Sequence, residues 1–287
     1  LIAREERNAP RRYWLVDVDG TLLNSRGEIS PRNRAVLERA ARAGIEVVLA
    51  TGRTYPSLLR LTGGWDLPFH CITNGGAVAL TPQARAVRYV NALPAALWPE
   101  IAAALADEGL SPVVFGHRHP EPPLLYVSRR TGDPHFEAYL GRNALMARVV
   151  ADLAAADIPD VIEVAALGRG AGFEEASRRV MARFEGATRH HCMVLFINSA
   201  HGKITEFFHP HTSKWRAFLG MFPDAAAHPE RIVAVGDEAN DVEMIAGAGL
   251  GIAMGNATPS LKAVADAVTA DHDHDGLAQA LEPLLDG

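Results

Sequence analysis

Cysteine is nearly absent from this chain. Cys71 and Cys192 are the only two, too few for a disulfide framework and suited to a reducing cytosol. Both lie in apolar runs, so they read as buried structural thiols. No uninterrupted apolar stretch reaches the roughly 18 residues a membrane-crossing helix needs. There is no basic block, and the net charge is −6; a general nucleic-acid binder is therefore not expected, nor a membrane partner. The opening LIAREERNAPRRYW is charged and has no apolar signal-peptide core, so export is not expected. It starts at Leu1 rather than at methionine, which points to residues upstream. Internal repeats and low-complexity tracts are also missing. What remains is an ordinary globular composition, 48% hydrophobic and 22% charged over 287 residues, enough for one large domain or two modest ones.

The most informative stretch is Tyr13 to Leu23. An apolar run ends in two carboxylates, Asp17 and Asp19, followed by Gly20 and Thr21. A short apolar run bounded by turn residues reads as a buried strand of a parallel sheet. Open α/β sheets bind ligands beyond the carboxyl ends of their strands, where Asp17 and Asp19 would sit. A bare D-x-D is equally a capped strand end with solvated aspartates, so its partners along the chain decide its meaning.

Those partners recur in order. Ser30-Pro31 opens a helix over about 31–43, with Ala35, Val36, Leu37, Ala40 and Ala41 as its apolar side and Gly44 as its stop. Residues 45–50 form the next strand, giving a right-handed βαβ unit. That strand ends in Thr51-Gly52-Arg53. A helix near 54–62 and a strand at 70–73 lead to the turn Asn74-Gly75-Gly76-Ala77. From about residue 83 the chain becomes richer in strands, with elements expected at 87–90, 94–108, 112–116, 124–129, 161–167, 173–185, 192–198 and 203–208. This predicts an inserted α+β domain over 83–209 within a core made of 1–82 and 210–287. After Pro210 the strand–helix alternation returns: Ser213 caps a helix starting at Lys214, residues 231–236 form a buried strand ending in Asp237, and Asn240 caps another helix with Glu243 as its capping-box partner. Strands at 250–254 and 267–269 and a helix at 276–285 complete it. The fold class is α/β, a Rossmann-like, doubly wound and mostly parallel sheet with an inserted α+β cap.

Four element ends thus carry polar groups: Asp17/Asp19, Thr51/Arg53, Lys214 and Asp237/Asn240/Asp241. Singly, each has a plain structural explanation, from a solvated lysine to an N-cap or an ion pair. Their shared place at the carboxyl edge favours one pocket. Two like charges about 4 Å apart cost roughly 4 kcal/mol at an effective dielectric near 20, so four crowded aspartates call for a cation. Mg²⁺ suits carboxylate and phosphate oxygens, and Lys214 and Thr51 suit the remaining phosphate oxygens.

The strings LVDVDGTLL, VVLATGRT, ITNGGA, HTSKWRAFL, VAVGDEANDVEM and AGAGLGIAMGNATPSLKAVADAVT resemble, in the same order, the haloacid dehalogenase-like superfamily. The branch is that of Cof-type phosphatases with a large type-II cap. The likeness covers roughly the first 80 and last 75 residues; the cap matches only in size, position and strand content. The resemblance implies Asp17 as the nucleophile that carries an aspartyl-phosphate. It implies Asp19 as general acid and then base. Thr51 and Lys214 would hold phosphoryl oxygens, with Gly52, Arg53, Asn74 and Asn240 completing the substrate side. Mg²⁺ would sit on Asp17, the Asp19 backbone carbonyl and Asp237, with Asn240 and Asp241 in support. The partner would be a small phosphorylated metabolite, with sugar phosphates foremost, and the cap would close over it. An aspartate at position 19 points to phosphate chemistry, since the superfamily's dehalogenases lack it.

Trp215 departs from the glycine that often follows the lysine. His272 and His274 sit in an acidic turn, and His190/His191 and His117/His119 in the cap; none is assigned to metal. Arg118, His119, Arg129, Arg130 and Arg169 are cap candidates only as polar groups at loop ends. A phosphomannomutase-like phosphotransferase and a non-catalytic phosphometabolite binder stay open as rivals, and oligomeric state is not legible.

Overall fold

The computed structural model describes residues 13–285 except 64, 66, 82–85, 118–123, 129–130, 132, 145, 154 and 198–199, and only the backbone of 194–197, 200 and 201. In chain order the elements are β1 (Tyr13–Asp17), α1 (Pro31–Arg42), β2 (Glu46–Ala50), α2 (Tyr55–Leu61), β3 (Phe69–Thr73), β4 (Val78–Thr81), β5 (Ala86–Val90), α3 (Leu97–Asp107), β6 (Pro112–Gly116), β7 (Leu124–Val127), α4 (Pro134–Arg142), β8 (Ala147–Val149), β9 (Val161–Gly168), α5 (Gly170–Arg183), β10 (Arg189–Ile197), β11 (Ala200–Phe208), α6 (Lys214–Met221), β12 (Ile232–Gly236), α7 (Val242–Gly247), β13 (Leu250–Ala253), α8 (Pro259–Lys262), β14 (Ala267–Val268) and α9 (Gly276–Leu281).

The chain divides into two compact units, one running up to Tyr89 and resuming at Ser213, the other Val90–Thr212. In the first, eight strands lie in the order β14-β13-β12-β1-β2-β3-β4-β5. From β14 to β3 every pairing is parallel, and β4 turns back antiparallel on β3. The central strand β1 is buried along its whole length, as expected where helices cover both faces of a sheet. Sequence runs outward from β1 in opposite directions, through β2 on one side and β12 on the other. The topological switch point therefore falls between β1 and β12, the place where open α/β sheets put their ligands.

Local chemistry explains the helices that frame this edge. Ser30 accepts the Asn33 amide at 3.1 Å and Pro31 fixes the first turn of α1. The buried side of α1 is Asn33, Val36, Leu37 and Ala40, so Ala35 is exposed instead. Asn33 is tolerated inside because its amide bonds Leu22 O at 3.4 Å and takes the Ala278 N–H at 3.0 Å, leaving no polar atom stranded.

The second unit holds a six-stranded sheet in the order β10-β11-β9-β6-β7-β8, antiparallel except for β7–β8. Helices α3 and α5 pack on it through Trp98, Ile101, Leu105, Phe173 and Val180, in one core with Phe207 of β11. A buried hydroxyl pair, Thr205 to Ser177 at 2.7 Å, ties α5 to β11. The two ends of this unit meet, since Asn91 Nδ2 donates to Thr212 Oγ1 at 3.0 Å and Arg189 Nη1 to the Thr212 carbonyl at 2.9 Å.

Several expected boundaries move. The strand expected at 87–90 within the 83–209 insertion is β5, an edge strand of the first sheet, and the second compact unit runs Val90–Thr212. Strands β4 and β8 and the short α8 had no period to announce them. Among the described residues no helix is long and apolar enough to cross a membrane. Cys71 is buried, and burial pushes its thiol up to about 12; Cys192, on β10, is only half-buried.

Candidate active site

Asp17 ends β1 and Asp237 follows β12, two strands paired in parallel register from Tyr13–Ile232 to Val16–Val235. That register brings carboxylates 220 positions apart in sequence to adjoining strand tips. Lys214 joins them from the first turn of α6. Its Nζ donates to Asp17 Oδ1 at 2.6 Å, to Asp241 Oδ1 at 2.6 Å and to Asn240 Oδ1 at 3.4 Å. The lysine is 1% exposed, so it is no solvated surface cation. A buried charge persists only when paired and hydrogen-bonded. Burial opposes its ammonium form, but the carboxylates of Asp17 and Asp241 more than offset this and its pKa is raised.

The aspartates feel the crowding. Burial lifts the Asp17 carboxyl well above the usual range; Lys214 pulls it down, while Asp241 and Asp237 push it up. Asp237 rises to about 7, through burial first and then the nearby Asp241. Asp241 is held by the backbone: its Oδ2 accepts the N–H groups of Asp237 and Glu238 at 3.0 and 3.1 Å. Among the described residues, Asp17, Asp237 and Asp241 can each bring one oxygen within 4.8 Å of the others. Three hard oxygen donors, two of them driven toward neutrality by burial and by the third, Asp241, fit a divalent cation.

Glycines make the approach possible. Gly20, at φ +80°, faces Asp237 so closely that a Cβ would fall 2.2 Å from its Oδ2. Gly76, at φ +106°, closes the turn after β3 against α6, where a Cβ would fall 2.3 Å from the Ser213 carbonyl. Gly236 likewise leaves room for Asp241.

Asp19 points elsewhere. Arg53 takes its carboxylate in a fork, Nε to Oδ2 at 2.8 Å and Nη2 to Oδ1 at 2.6 Å. Burial works against the guanidinium, yet this pairing leaves its pKa raised. Thr51 Oγ1 accepts the Arg53 amide at 3.0 Å and lies 3.5 Å from Asp19 Oδ2. Asn74 sits with them: its N–H donates to Arg53 O at 3.0 Å, and that of Gly75 to Thr51 O at 3.1 Å. Gly52 is exposed, with open space where a side chain would go.

The expected residues therefore fall into two neighbouring sets of one sheet edge: Asp17, Lys214, Asp237, Asn240 and Asp241 in one, and Asp19, Thr51, Arg53 and Asn74 in the other. The carboxylate of Asp241, expected only as a support, belongs to the acidic cluster itself, while that of Asp19 does not.

Some local expectations fail. Asn240 is not a helix cap; Glu238 caps the short 3₁₀ turn Ala239–Asp241 by accepting the Ala239 N–H at 3.4 Å, and Asp241 completes the box by taking the Glu238 N–H. Glu243 instead accepts from Ser213 Oγ at 2.6 Å, securing the N-terminus of α6 to α7. Trp215 is a packing residue, stacked on Phe218 at 5.5 Å and seated against Gly247. In the second unit, Arg169 pairs with Asp133 at 3.1 Å, whereas Arg118, His119, Arg129 and Arg130 lie outside the described residues. His191 pairs with Glu206 and His274 with Asp271.

One site contact, inside the string AGAGLGIAMGNATPSLKAVADAVT, was not singled out from the sequence. Asn256, in the loop after β13, donates from Nδ2 both to the Gly20 carbonyl at 2.9 Å and to Asp237 Oδ2 at 3.1 Å. A side chain this far along the chain is recognisable only once β13 is placed beside β12.

A doubly wound sheet with a buried Asp–Lys–Asp cluster at its switch point defines an α/β protein whose candidate active site is lined by carboxylates. Residues 14–281 match the model of the haloacid dehalogenase-like hydrolases, and the chain belongs to that family. It is a hydrolase of the phosphatase type. It is 28% identical to phosphatase YwpJ of Bacillus subtilis over 94% of this chain and 98% of that one. To 5-amino-6-(5-phospho-D-ribitylamino)uracil phosphatase YwtE of the same organism it is also 28% identical, over 95% and 97%. A haloacid dehalogenase-like hydrolase from Bacteroides thetaiotaomicron superposes with a TM-score of 0.76 at 26% identity, covering 95% of this chain and 99% of that one. The chain also matches, at 27% identity, the chloroplastic endoribonuclease YBEY of Arabidopsis thaliana, of whose length it spans 46%.

Proposed function

We propose that this chain is a Mg²⁺-dependent phosphomonoesterase of small phosphorylated metabolites, sugar phosphates foremost, working through an aspartyl-phosphate on Asp17. The observation that carries this reading is the 2.6 Å contact of Lys214 Nζ with Asp17 Oδ1, made beside Asp237 and Asp241 at the switch point. A carboxylate so placed can act as a nucleophile that splits one displacement into two. The named activities of the phosphatases it resembles, YwpJ and YwtE among them, agree. The two unpaired cysteines agree with a cytoplasmic setting.

Asp17 attacks phosphorus, and the bond from phosphorus to the leaving oxygen breaks. Asp19, freed from the Arg53 fork and protonated, gives its proton to that oxygen, so the alcohol departs neutral. Asp19, now a carboxylate, takes a proton from water, whose oxygen attacks the phosphoryl group and releases Asp17 and inorganic phosphate. Lys214 and the Thr51 hydroxyl face the charge carried by the phosphoryl oxygens, with Gly52, Arg53, Asn74 and Asn240 lining the substrate side. Bound Mg²⁺, held by Asp17, Asp237 and the Asp19 carbonyl, supplies positive charge against those oxygens and against the crowded carboxylates.

A panel of phosphorylated metabolites, scored for released phosphate with Mg²⁺ and with chelator, tests the reading. Release that requires Mg²⁺ and disappears in Asp17→Asn is the expected result. Near-normal turnover by Asp17→Asn would overturn the nucleophile. Substrate isomerised without free phosphate would select a phosphotransferase.

A further inference from the structure

The Asn256 amide occupies an unusual position for a loop side chain. Its Nδ2 donates to Gly20 O at 2.9 Å and to Asp237 Oδ2 at 3.1 Å, while its Oδ1 accepts the His272 N–H at 3.1 Å. Three stretches are joined through one planar group: the loop after β1, the tip of β12 and the turn Asp271–Asp275 near the C-terminus. That turn is pinned in its own right, because Asp273 Oδ1 accepts the Ser25 N–H at 2.8 Å and Asp271 binds His274 at 2.6 Å. Asn256 itself is exposed, so packing does not demand an amide there. The loop backbone has separate supports: Lys262 Nζ donates to Gly255 O at 2.6 Å, the Gly255 N–H to Ala270 O at 3.0 Å and the Ala257 N–H to Met254 O at 2.9 Å.

The Asp237 carboxylate is buried and close-packed on Gly20, and the side chains that bond it set its plane. It is bare of any side chain on the Gly20 flank, and Thr21 Oγ1 reaches its Oδ1 only at 3.4 Å. A carboxylate that rotates about its last bond presents a cation with no fixed oxygen. Asn256 holds Oδ2, which fixes the plane of the group and commits Oδ1 to the side of Thr21. Partners of this kind orient a metal's ligands and typically change affinity by about 10–100-fold when lost.

We infer that Asn256 is the positioning residue of the cation site, acting through Asp237 and anchored by the C-terminal turn; this rests on the metal-dependent reading above. Its amide matters because it donates to a carboxylate and a carbonyl and accepts from an amide at once. An aspartate of the same shape cannot donate and would add a charge next to Asp237.

The test is Mg²⁺ binding to substrate-free protein by calorimetry, with thermal unfolding in chelator alongside. Wild type, Asn256→Ala, Asn256→Asp and Lys262→Met are compared, the last loosening the same loop without touching the amide. Expected are a loss of about 10–100-fold in Mg²⁺ affinity for Asn256→Ala, little change in melting temperature in chelator, and recovery of turnover at high Mg²⁺. Asn256→Asp should not restore wild-type affinity, and Lys262→Met should bind Mg²⁺ within about threefold of wild type. Unchanged affinity in Asn256→Ala overturns the inference. So does an equal loss in Lys262→Met, which would make the loop rather than the amide responsible, and so does a turnover defect that excess Mg²⁺ leaves untouched. If wild type itself binds no Mg²⁺, the functional reading fails first, and that outcome is distinguishable because it needs no variant.

Discussion

Arg53 holds both carboxylate oxygens of Asp19, at 2.8 and 2.6 Å, while Asp19 side-chain exposure is 54% and that of Arg53 is 31%. A pair this open to water contributes at most about 1 kcal/mol to stability. Its value lies in aim. A bidentate arginine fixes a carboxylate in a plane as a lysine cannot, and on the proposed mechanism this sets where Asp19 stands before it leaves the fork to carry a proton. Arg53→Lys is expected to lower kcat by about 10-fold or more, with unfolding free energy within about 1 kcal/mol of wild type. Equal kcat in the two proteins would show that the fork is incidental.

Lys214 presents the opposite balance. It is sealed between Asp17 and Asp241, and its removal leaves two buried carboxylates facing each other. Lys214→Met should cost about 3–5 kcal/mol in urea unfolding at neutral pH in chelator. Pairing it with Asp17→Asn should recover part of that loss, because the double change removes a repulsion as well as an attraction. Simple additivity would mean that the three groups are not coupled.

Gly76 governs where that lysine begins. Its φ of +106° and the 2.3 Å approach to the Ser213 carbonyl leave no room for a methyl group. Gly76→Ala is expected to cost about 1–3 kcal/mol through strain. By displacing the start of α6, it should also cost about 100-fold in kcat. Gly141, inside α4 with open space around it, is the counter-case, and Gly141→Ala should stabilise by up to about 1 kcal/mol. If Gly76→Ala melts with wild type and turns over normally, the close approach carries no constraint.

The inserted unit has a titration of its own. Burial disfavours the charged form of His191, but Glu206 at 2.7 Å reverses this and the imidazole pKa is raised. The folded state therefore holds its proton more tightly than the unfolded chain. The gain is complete below the unfolded value near 6.5 and is lost as pH rises through the higher folded value. With the imidazole 40% exposed, the gain should be about 1 kcal/mol or less. Unfolding monitored from pH 6 to 9 should show this decline in wild type and a flatter profile in His191→Gln. Identical slopes would dismiss the pair as a contributor.

The buried strands and the groups at their ends were legible because parallel strands announce themselves as apolar runs, and because Asp17, Thr51, Lys214 and Asp237 each follow such a run or open a capped helix. The Lys214 helix begins at the expected residue because Ser213 accepts the Arg216 N–H at 3.2 Å. Element ends that depend on tertiary partners were not legible. Glu243 has the right spacing to serve Asn240, yet a better donor, Ser213, arrives from thirty positions away. β5 has no burial pattern to mark which sheet it joins, so pattern alone assigned it to the cap. Asn256 lies in a string that matches the family, yet its role there was not legible, since its three bonds run to residues 16 to 236 positions distant.

The hydrogen bond from Asn91 to Thr212 has a wider meaning. The excursion from the sheet departs and comes home at a single spot, so closing the gap would take only a short tether and little chain entropy. Selection can then lengthen, trim or replace everything beyond that knot while the strand tips bearing Asp17 and Asp237 keep their register.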